Sequence, residues 1–376
     1  MSDVAKKAKE IIQTSNLDHE YLPIHGYTPF LDLAKELVFG PSLQQSKASV
    51  SSVQTIAGTG ANHLAALFLG RYLKPRNVFI SDPTWNNHHL VWQIAAPNVN
   101  RRVYPYYCTA TRSLDLEGMI STLEVEAVEH DVVLLHPCAH NPTGIDPTRE
   151  QWQQIAEIVK RKKLFALFDS AYQGFASGDL DADAWAIRYF YTTLWDGGAA
   201  EPAGMAVCQS FSKNFSLYGE RVGALHLVTP PSVPTQGAYS QLVRLVRSDI
   251  SNAPRFGVRI VETVLSHPTL REGWCGSLQT MSQRIRDVRQ ALRRELERLG
   301  TKGDWSHVTS QVGMFSYTGL TKLQVDKLRE LHHVYLMQTG RLSLPGLNSS
   351  NVEYVAWAIH DIVERFAEHN GPERPR

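Results

Sequence analysis

The 376-residue sequence predicts an α/β fold: a mainly parallel seven-stranded sheet with helices on both faces, followed by a smaller C-terminal α/β domain. Three observations carry that expectation. Short β-rich runs recur at "SVQTI", "NVFIS", "RVYPYYC", "DVVLLH", "LFALFD", "MAVCQSF" and "RVGALHLV". Helical stretches separate several of them, and such alternation indicates parallel strands covered on both faces. Near residue 275 the pattern changes to long amphipathic helices. The expected division is therefore a large domain over residues 1–275 and a small one over 276–376.

The elements follow in order. "MSDVAKKAKEII" reads as a short amphipathic helix without a signal-peptide core. "DPTREQWQQIAEIVKRKK" places Trp152, Ile155, Ala156 and Val159 at helical spacing, with Asp146 or Thr148 available as the cap. The basic run Lys160–Lys163 then suits the end of that helix, where cations favour the dipole. Leu278, Met281, Ile285, Val288, Leu292, Leu296 and Leu299 mark one long amphipathic helix ended by Gly300. A last helix after Asn351 buries Val355, Ile359, Ile362 and Phe366. "TPPSVPTQG" and "DGGAAEPAG" are loops by composition.

Composition excludes several classes of function. A charged fraction of 20% against 43% hydrophobic residues indicates a packed core, not a disordered chain. A net charge of +1 removes the electrostatic argument for nucleic acid or an anionic membrane. Cys108, Cys138, Cys208 and Cys275 form no CxxC pair, so reduced thiols in the cytoplasm are the simplest reading. The histidine pairs His88-His89 and His332-His333 lack metal-ligand spacing, so no metal is expected.

Chemistry-bearing residues follow the strands. After "SVQTI" the turn "AGTGAN" offers glycines and a helix N-terminus, which suit an anion. A dinucleotide fingerprint is the rival, but Gly58-x-Gly60-x-x-His63 lacks the third glycine. Asp169 ends a buried strand, where a carboxylate needs a cation or a cap. "PCAHNPTG" brings Asn141 before Pro142 in a turn. In "SFSKNFSLYGERVGAL" a single lysine, Lys213, stands among small and aromatic residues, eight before Arg221. A phosphate cradle, a buried acid, a phenol, an amide and a lysine together match the needs of pyridoxal 5'-phosphate: phosphate, pyridine nitrogen, phenolic oxygen and aldehyde.

Here the chain resembles the class I (fold-type I) aminotransferases, aspartate aminotransferase subgroup, from about Ser15 to about Ile362. "SNLDHEYLPI", "PTWNNH", "HPCAHNPTGIDP", "FDSAYQGFASGD", "QSFSKNFSLYGERVGA" and "GRLSLPGLNSSN" carry the resemblance. It implies that Lys213 forms the Schiff base and later moves the proton, that Asp169 meets the ring nitrogen with His88 behind it, and that Tyr172 and Asn141 meet the phenolic oxygen. Trp85 then stacks on the cofactor. Gly58, Thr59, Ser210 and Arg221 form the phosphate site. Arg341 clamps the substrate α-carboxylate, where a planar guanidinium binds both oxygens. The resemblance also implies a homodimer with shared sites, Tyr21 reaching the neighbour's phosphate and Arg247 the neighbour's distal carboxylate.

Departures accompany the resemblance. Ala57 replaces a usual serine at the phosphate turn, and Asn86 replaces a usual glycine beside Trp85. Asp249, in "SDISNAP", either pairs with Arg247 or points to solvent. The family's further N-terminal segment, an arm with part of the small domain, has no counterpart before "SNLDHEYLPI". The implied activity is transamination of L-aspartate or L-glutamate with oxaloacetate or 2-oxoglutarate, in alternating half-reactions. An aromatic or otherwise shifted donor, and a non-catalytic relative that keeps the fold, stay open as alternatives.

Overall fold

The computed structural model describes residues 3–15, 17–46, 48–195 and 201–366. Part of the predicted "DGGAAEPAG" loop, residues 196–200, lies outside them. The first half of the chain runs α1 (Asp3–Thr14), α2 (Thr28–Phe39), β1 (Ser49–Ile56), α3 (Ala57–Phe68), β2 (Asn77–Asp82), α4 (Asn87–Ala95), β3 (Asn100–Pro105), β4 (Tyr107–Cys108), β5 (Ser113–Leu114), α5 (Leu116–Glu126), β6 (Val132–Leu135), α6 (Arg149–Arg161) and β7 (Phe165–Ser170). It continues through α7 (Leu180–Asp183), α8 (Trp185–Thr193), β8 (Gly204–Ser210), β9 (Val222–Thr229), α9 (Thr235–Asp249), α10 (Phe256–Ser266), α11 (Pro268–Arg298), α12 (His307–Ser310), β10 (Phe315–Tyr317), α13 (Lys322–His332), β11 (Arg341–Ser343) and α14 (Val352–Arg365).

Seven strands form one sheet in the order β1-β9-β8-β7-β6-β2-β3. Only β9 runs against its neighbours, β1 and β8; the other pairings are parallel. Strands β6, β8 and β9 are buried along their whole length, which is why they read as near-continuous apolar runs. The two-residue side-chain period sorts them between two cores. Val133 and Leu135 pack with Trp152, Phe168 and Phe190 on one face. Val132 and Leu134 pack with Trp92, Leu167 and Leu245 on the other. A third core joins α1, α10, α11 and α14 through Ala8, Val261, Trp274, Leu292 and Ile359. No helix among the described residues is long and apolar enough to cross a membrane.

The local expectations mostly hold, with instructive differences. "RVYPYYC" is not one strand: β3 ends at Pro105, and β4 pairs with β5 in a separate hairpin. Proline has no N–H to continue a ladder, and β3 is the sheet's edge. The cap of α6 is Thr148, in a capping box with Gln151; Asp146 instead accepts the N–H groups of Ala139 and His140. α11 begins at Pro268, ten residues before the apolar stripe the sequence displays, because proline suits the first helical turn. α9 begins at Thr235, inside the predicted "TPPSVPTQG" loop.

The parallel strands all end on one side. The turns after β2, β6, β7 and β8 therefore converge, which is where ligands sit in open α/β sheets. Against them stands the antiparallel β10–β11 pair, joined through α13, in register Tyr317 to Arg341.

Candidate active site

One cavity at those strand ends is lined by Gly58, Thr59, Trp85, His136, Asn141, Asp169, Tyr172, Ser210, Lys213 and Arg221, with Ala57, Ala171, Ser212 and Tyr218. Each predicted cofactor-site residue except His88 and Tyr21 is among them. His88 is fully buried directly behind the cavity wall, its Nε2 2.9 Å from Asp169 Oδ2. Thr84 Oγ1 meets the other ring nitrogen at 2.9 Å. Burial pushes the Asp169 carboxyl up, but the hydrogen bond and charge of His88, with smaller help from His136 and Lys213, bring it below the ordinary aspartate value. Asp169 is therefore an ionised carboxylate at the end of a buried strand. His88, His136 and Asp169 lie close enough together to suggest a metal. Both His88 nitrogens are already engaged, and its pairing with Asp169 accounts for the cluster.

Lys213 follows β8 in a tight turn closed by the Ser216 N–H to Lys213 carbonyl bond at 2.9 Å. Its Nζ lies 4.7 Å from the centre of the Tyr172 ring. Burial lowers its pKa, Asp169 opposes that, and Arg221 adds to it, leaving the amine below the ordinary lysine value. Tyr172 moves the other way: burial and the Asp169 charge keep its hydroxyl protonated.

The phosphate-type turn is built from backbone. α3 starts at Ala57 with no side chain capping it, so the N–H groups of its first turn after Ala57 can meet an anion. Ala57 has φ 53°, and its N–H is held by the Arg221 carbonyl at 3.1 Å. A Cβ on Gly223 would sit 2.6 Å from the Ala57 carbonyl carbon, so only glycine lets β9 approach this turn. Arg221 donates to Ser212 Oγ at 3.3 Å and to the Tyr218 carbonyl at 3.0 Å, which leaves its guanidinium lining the cavity.

Asn141 joins two parts of the fold. Its amide nitrogen faces the Tyr172 hydroxyl at 3.4 Å, and its oxygen accepts from Arg341 at 2.9 Å. The Asn141-Pro142 bond is cis. The Arg341 guanidinium lies 4.2 Å from the centre of the Phe315 ring. Burial lowers the Arg341 pKa, yet it stays a cation, tied to the site through Asn141.

Two predicted residues stand apart. Tyr21 is 83% exposed, and Arg247 is exposed with its guanidinium 2.6 Å from Ser251 Oγ. Asp249 does not pair with Arg247; its carboxylate lies 3.9 Å from His63 Nε2. Sequence reasoning missed His136, Ser212, Tyr218 and Phe315. The first three lie inside the motifs already quoted and carried a signal. Phe315 had none, because it reaches the site only through the pairing of β10 with β11.

The donor set fits pyridoxal phosphate: a shielded amine, an ionised acid buried beside it, a neutral phenol with an amide, and an uncapped helix start with an arginine. Comparison with known proteins agrees in kind. Residues 1–359 match the family "Aminotransferase class I and II". An L-tyrosine:2-oxoglutarate aminotransferase of Aspergillus ustus is 46% identical over 367 residues, covering 95% of this chain and 69% of the relative. The cytoplasmic aspartate aminotransferase of Caenorhabditis elegans is 47% identical over 357 residues, covering 94% and 85%. The solved cytoplasmic aspartate aminotransferase of Saccharomyces cerevisiae superposes with a TM-score of 0.91 at 42% identity, covering 97% of this chain and 88% of that one.

Proposed function

The chain belongs to the class I and II aminotransferases, and from that premise we propose that it moves an amino group between L-aspartate or L-glutamate and a 2-oxo acid, oxaloacetate or 2-oxoglutarate. The observation that carries the reading is the convergence of Lys213, Asp169, Tyr172, Asn141 and Arg221 on one cavity, with Arg341 tied to it through Asn141.

Asp169 would hold the pyridine nitrogen of pyridoxal phosphate, Tyr172 and Asn141 its phenolic oxygen, and Trp85 its ring. Gly58, Thr59, Ser210 and Arg221 would hold its phosphate, and Lys213 its aldehyde. Bound there, the cofactor supplies the electron-withdrawing ring that spreads negative charge from the substrate α-carbon. The residues do the rest. His88 keeps Asp169 ionised, so the acid can keep a proton on the atom it faces. The depressed Lys213 amine is more often neutral than an exposed lysine, and a neutral amine can take the α-proton and return it. Arg341 orients the amino or oxo acid by its carboxylate, a charge-assisted fork.

Tyr21 and Arg247, exposed and outside the cavity of their own chain, support a homodimer in which each completes the neighbour's site. Exposed apolar residues Leu90 and Ile94, beside Thr59 and Arg221, suit the covered face of such a pair. We place the enzyme in the cytoplasm, with the large domain at residues 1–275 and the small one at 276–376, a boundary inside α11. The relative that acts on L-tyrosine supports a second reading, an aromatic donor.

The test is a half-reaction of the cofactor-loaded protein, followed by its absorbance, with L-aspartate and with L-tyrosine. Aspartate should react faster, and Arg247→Leu should reduce its rate constant far more than that of tyrosine. Faster reaction with tyrosine supports the second reading, and no spectral change with either amino acid removes both.

A further inference from the structure

Arg289 is a charged side chain where charge is least expected. It lies on α11, is 2% exposed, and forms no ion pair with a carboxylate among the described residues. Burial alone brings its pKa down to about 9. Burying a guanidinium without a counter-charge is unfavourable unless its donors are well used. They are used on one segment. Nη1 donates to the Val308 carbonyl at 2.7 Å, and Nη2 to the carbonyls of Gly313 at 3.0 Å and Phe315 at 2.5 Å. Nε has no partner among the described residues, and with no carboxylate beside the group, neutralising a charge is not what positions it.

The segment it holds is also held from the opposite side. The Val312 N–H donates to the Gly144 carbonyl at 2.6 Å, and a Cβ on Gly313 would stand 2.5 Å from the Ala139 Cβ. Gly144 and Ala139 belong to the turn that carries Asn141. Phe315, at the end of the segment, has its ring edge-to-face with Tyr172 at 6.1 Å and its face against the Arg341 guanidinium at 4.2 Å.

We propose that Arg289 is a positioning residue for the α-carboxylate site: by gathering three carbonyls of residues 308–315, it fixes the Phe315 ring as the backing plate of Arg341. No shorter or apolar side chain does this. Lysine cannot span three carbonyls in one plane, and an apolar residue leaves the Phe315 carbonyl as an unpaired strand edge. The inference rests on the reading that Arg341 binds the substrate α-carboxylate.

The experiment uses the cofactor-loaded protein as wild type, Arg289→Lys, Arg289→Met and Arg341→Leu. Each is given L-aspartate and benzylamine, an amine without the carboxylate, and each is titrated calorimetrically with succinate. Arg289→Lys should weaken L-aspartate and succinate binding about tenfold while leaving the limiting rate and the benzylamine rate within about threefold. Equal losses for aspartate and benzylamine, or unchanged succinate affinity in a folded variant, overturn the proposal. Arg341→Leu separates the two readings. If it too fails to distinguish aspartate from benzylamine, the assignment of Arg341 is wrong and the inference goes with it. If it distinguishes them and Arg289→Lys does not, only Arg289 is misassigned. Should Arg289→Met not fold, a double-mutant cycle of Arg289→Lys with Phe315→Leu decides: additive losses in succinate affinity overturn the coupling.

Discussion

Lys213 is a base that the fold keeps uncomfortable as an acid. Its folded pKa lies below the unfolded one, mainly through burial, so the native chain gives up this proton first. Stability contributed by the group then rises with pH between the two values. Lys213→Met should therefore stabilise the cofactor-free protein near neutral pH, with a gain that shrinks as pH approaches the ordinary lysine value. Urea unfolding at about pH 7 and about pH 10 measures this, and an equal gain at both contradicts it. Asp169 has the opposite sign. Its pKa is lowered against the pull of burial, so its pairing with His88 stabilises the fold above the ordinary carboxylate value and fades as pH falls through the folded one. Asp169→Ala should lower stability by about 1.5–3 kcal/mol at neutral pH, because it removes a hydrogen bond to an ionised group. The difference should close in acid. These residues were legible in the sequence because each stands at or just past the end of a strand, in a dense local motif. Phe315 and Arg289 were not, since their meaning depends on contacts that no local spacing records.

Elements place these residues, and here the turn between β1 and α3 is most exposed to change. Gly223 lets β9 pass the Ala57 backbone at a distance no side chain tolerates. Gly223→Ala should cost about 1–3 kcal/mol through overpacking. It should also weaken pyridoxal phosphate binding, since the displaced backbone is the one carrying Ala57. Equilibrium dialysis of the cofactor, beside thermal unfolding, checks both, and unchanged cofactor affinity would count against the phosphate assignment of this turn. Strands β6, β8 and β9 were visible as apolar runs because burial on both faces demands them. The start of α11 was not, because Gly273 and Gly276 disfavour a helix in a stretch where only Leu270 and Trp274 continue the buried stripe. The split of "RVYPYYC" was hidden for a different reason: which sheet a strand joins is decided by its neighbours in space.

At the scale of the whole molecule the site is incomplete in one chain if Tyr21 and Arg247 serve a neighbour. The apolar rim at Leu90 and Ile94, 50% and 64% exposed, gives a direct test. Ile94→Asp should raise the dimer dissociation constant about 100-fold, as removal of an interface anchor does, without lowering the melting temperature of the monomer. Light scattering across a dilution series reads this. A protein monomeric at every concentration would overturn the shared site. The sequence offered the two residues only through resemblance, because nothing local distinguishes a tyrosine that reaches a partner from one that faces water.

The sheet order carries a consequence for synthesis. β1 has a single partner, β9, and Ser52 meets His226 across 174 residues of chain. A ribosome needs roughly ten to thirty seconds to make that much polypeptide. Throughout that interval β1 and the turn behind it wait with both edges unsatisfied, exposed to wrong partners and proteases. The wall proposed to hold the cofactor's phosphate cannot exist until the strand beyond Lys213 has emerged. Nascent chains arrested before residue 222 should therefore be cleaved near β1 by a probing protease and bound by chaperones, and chains arrested well past residue 229 should be spared.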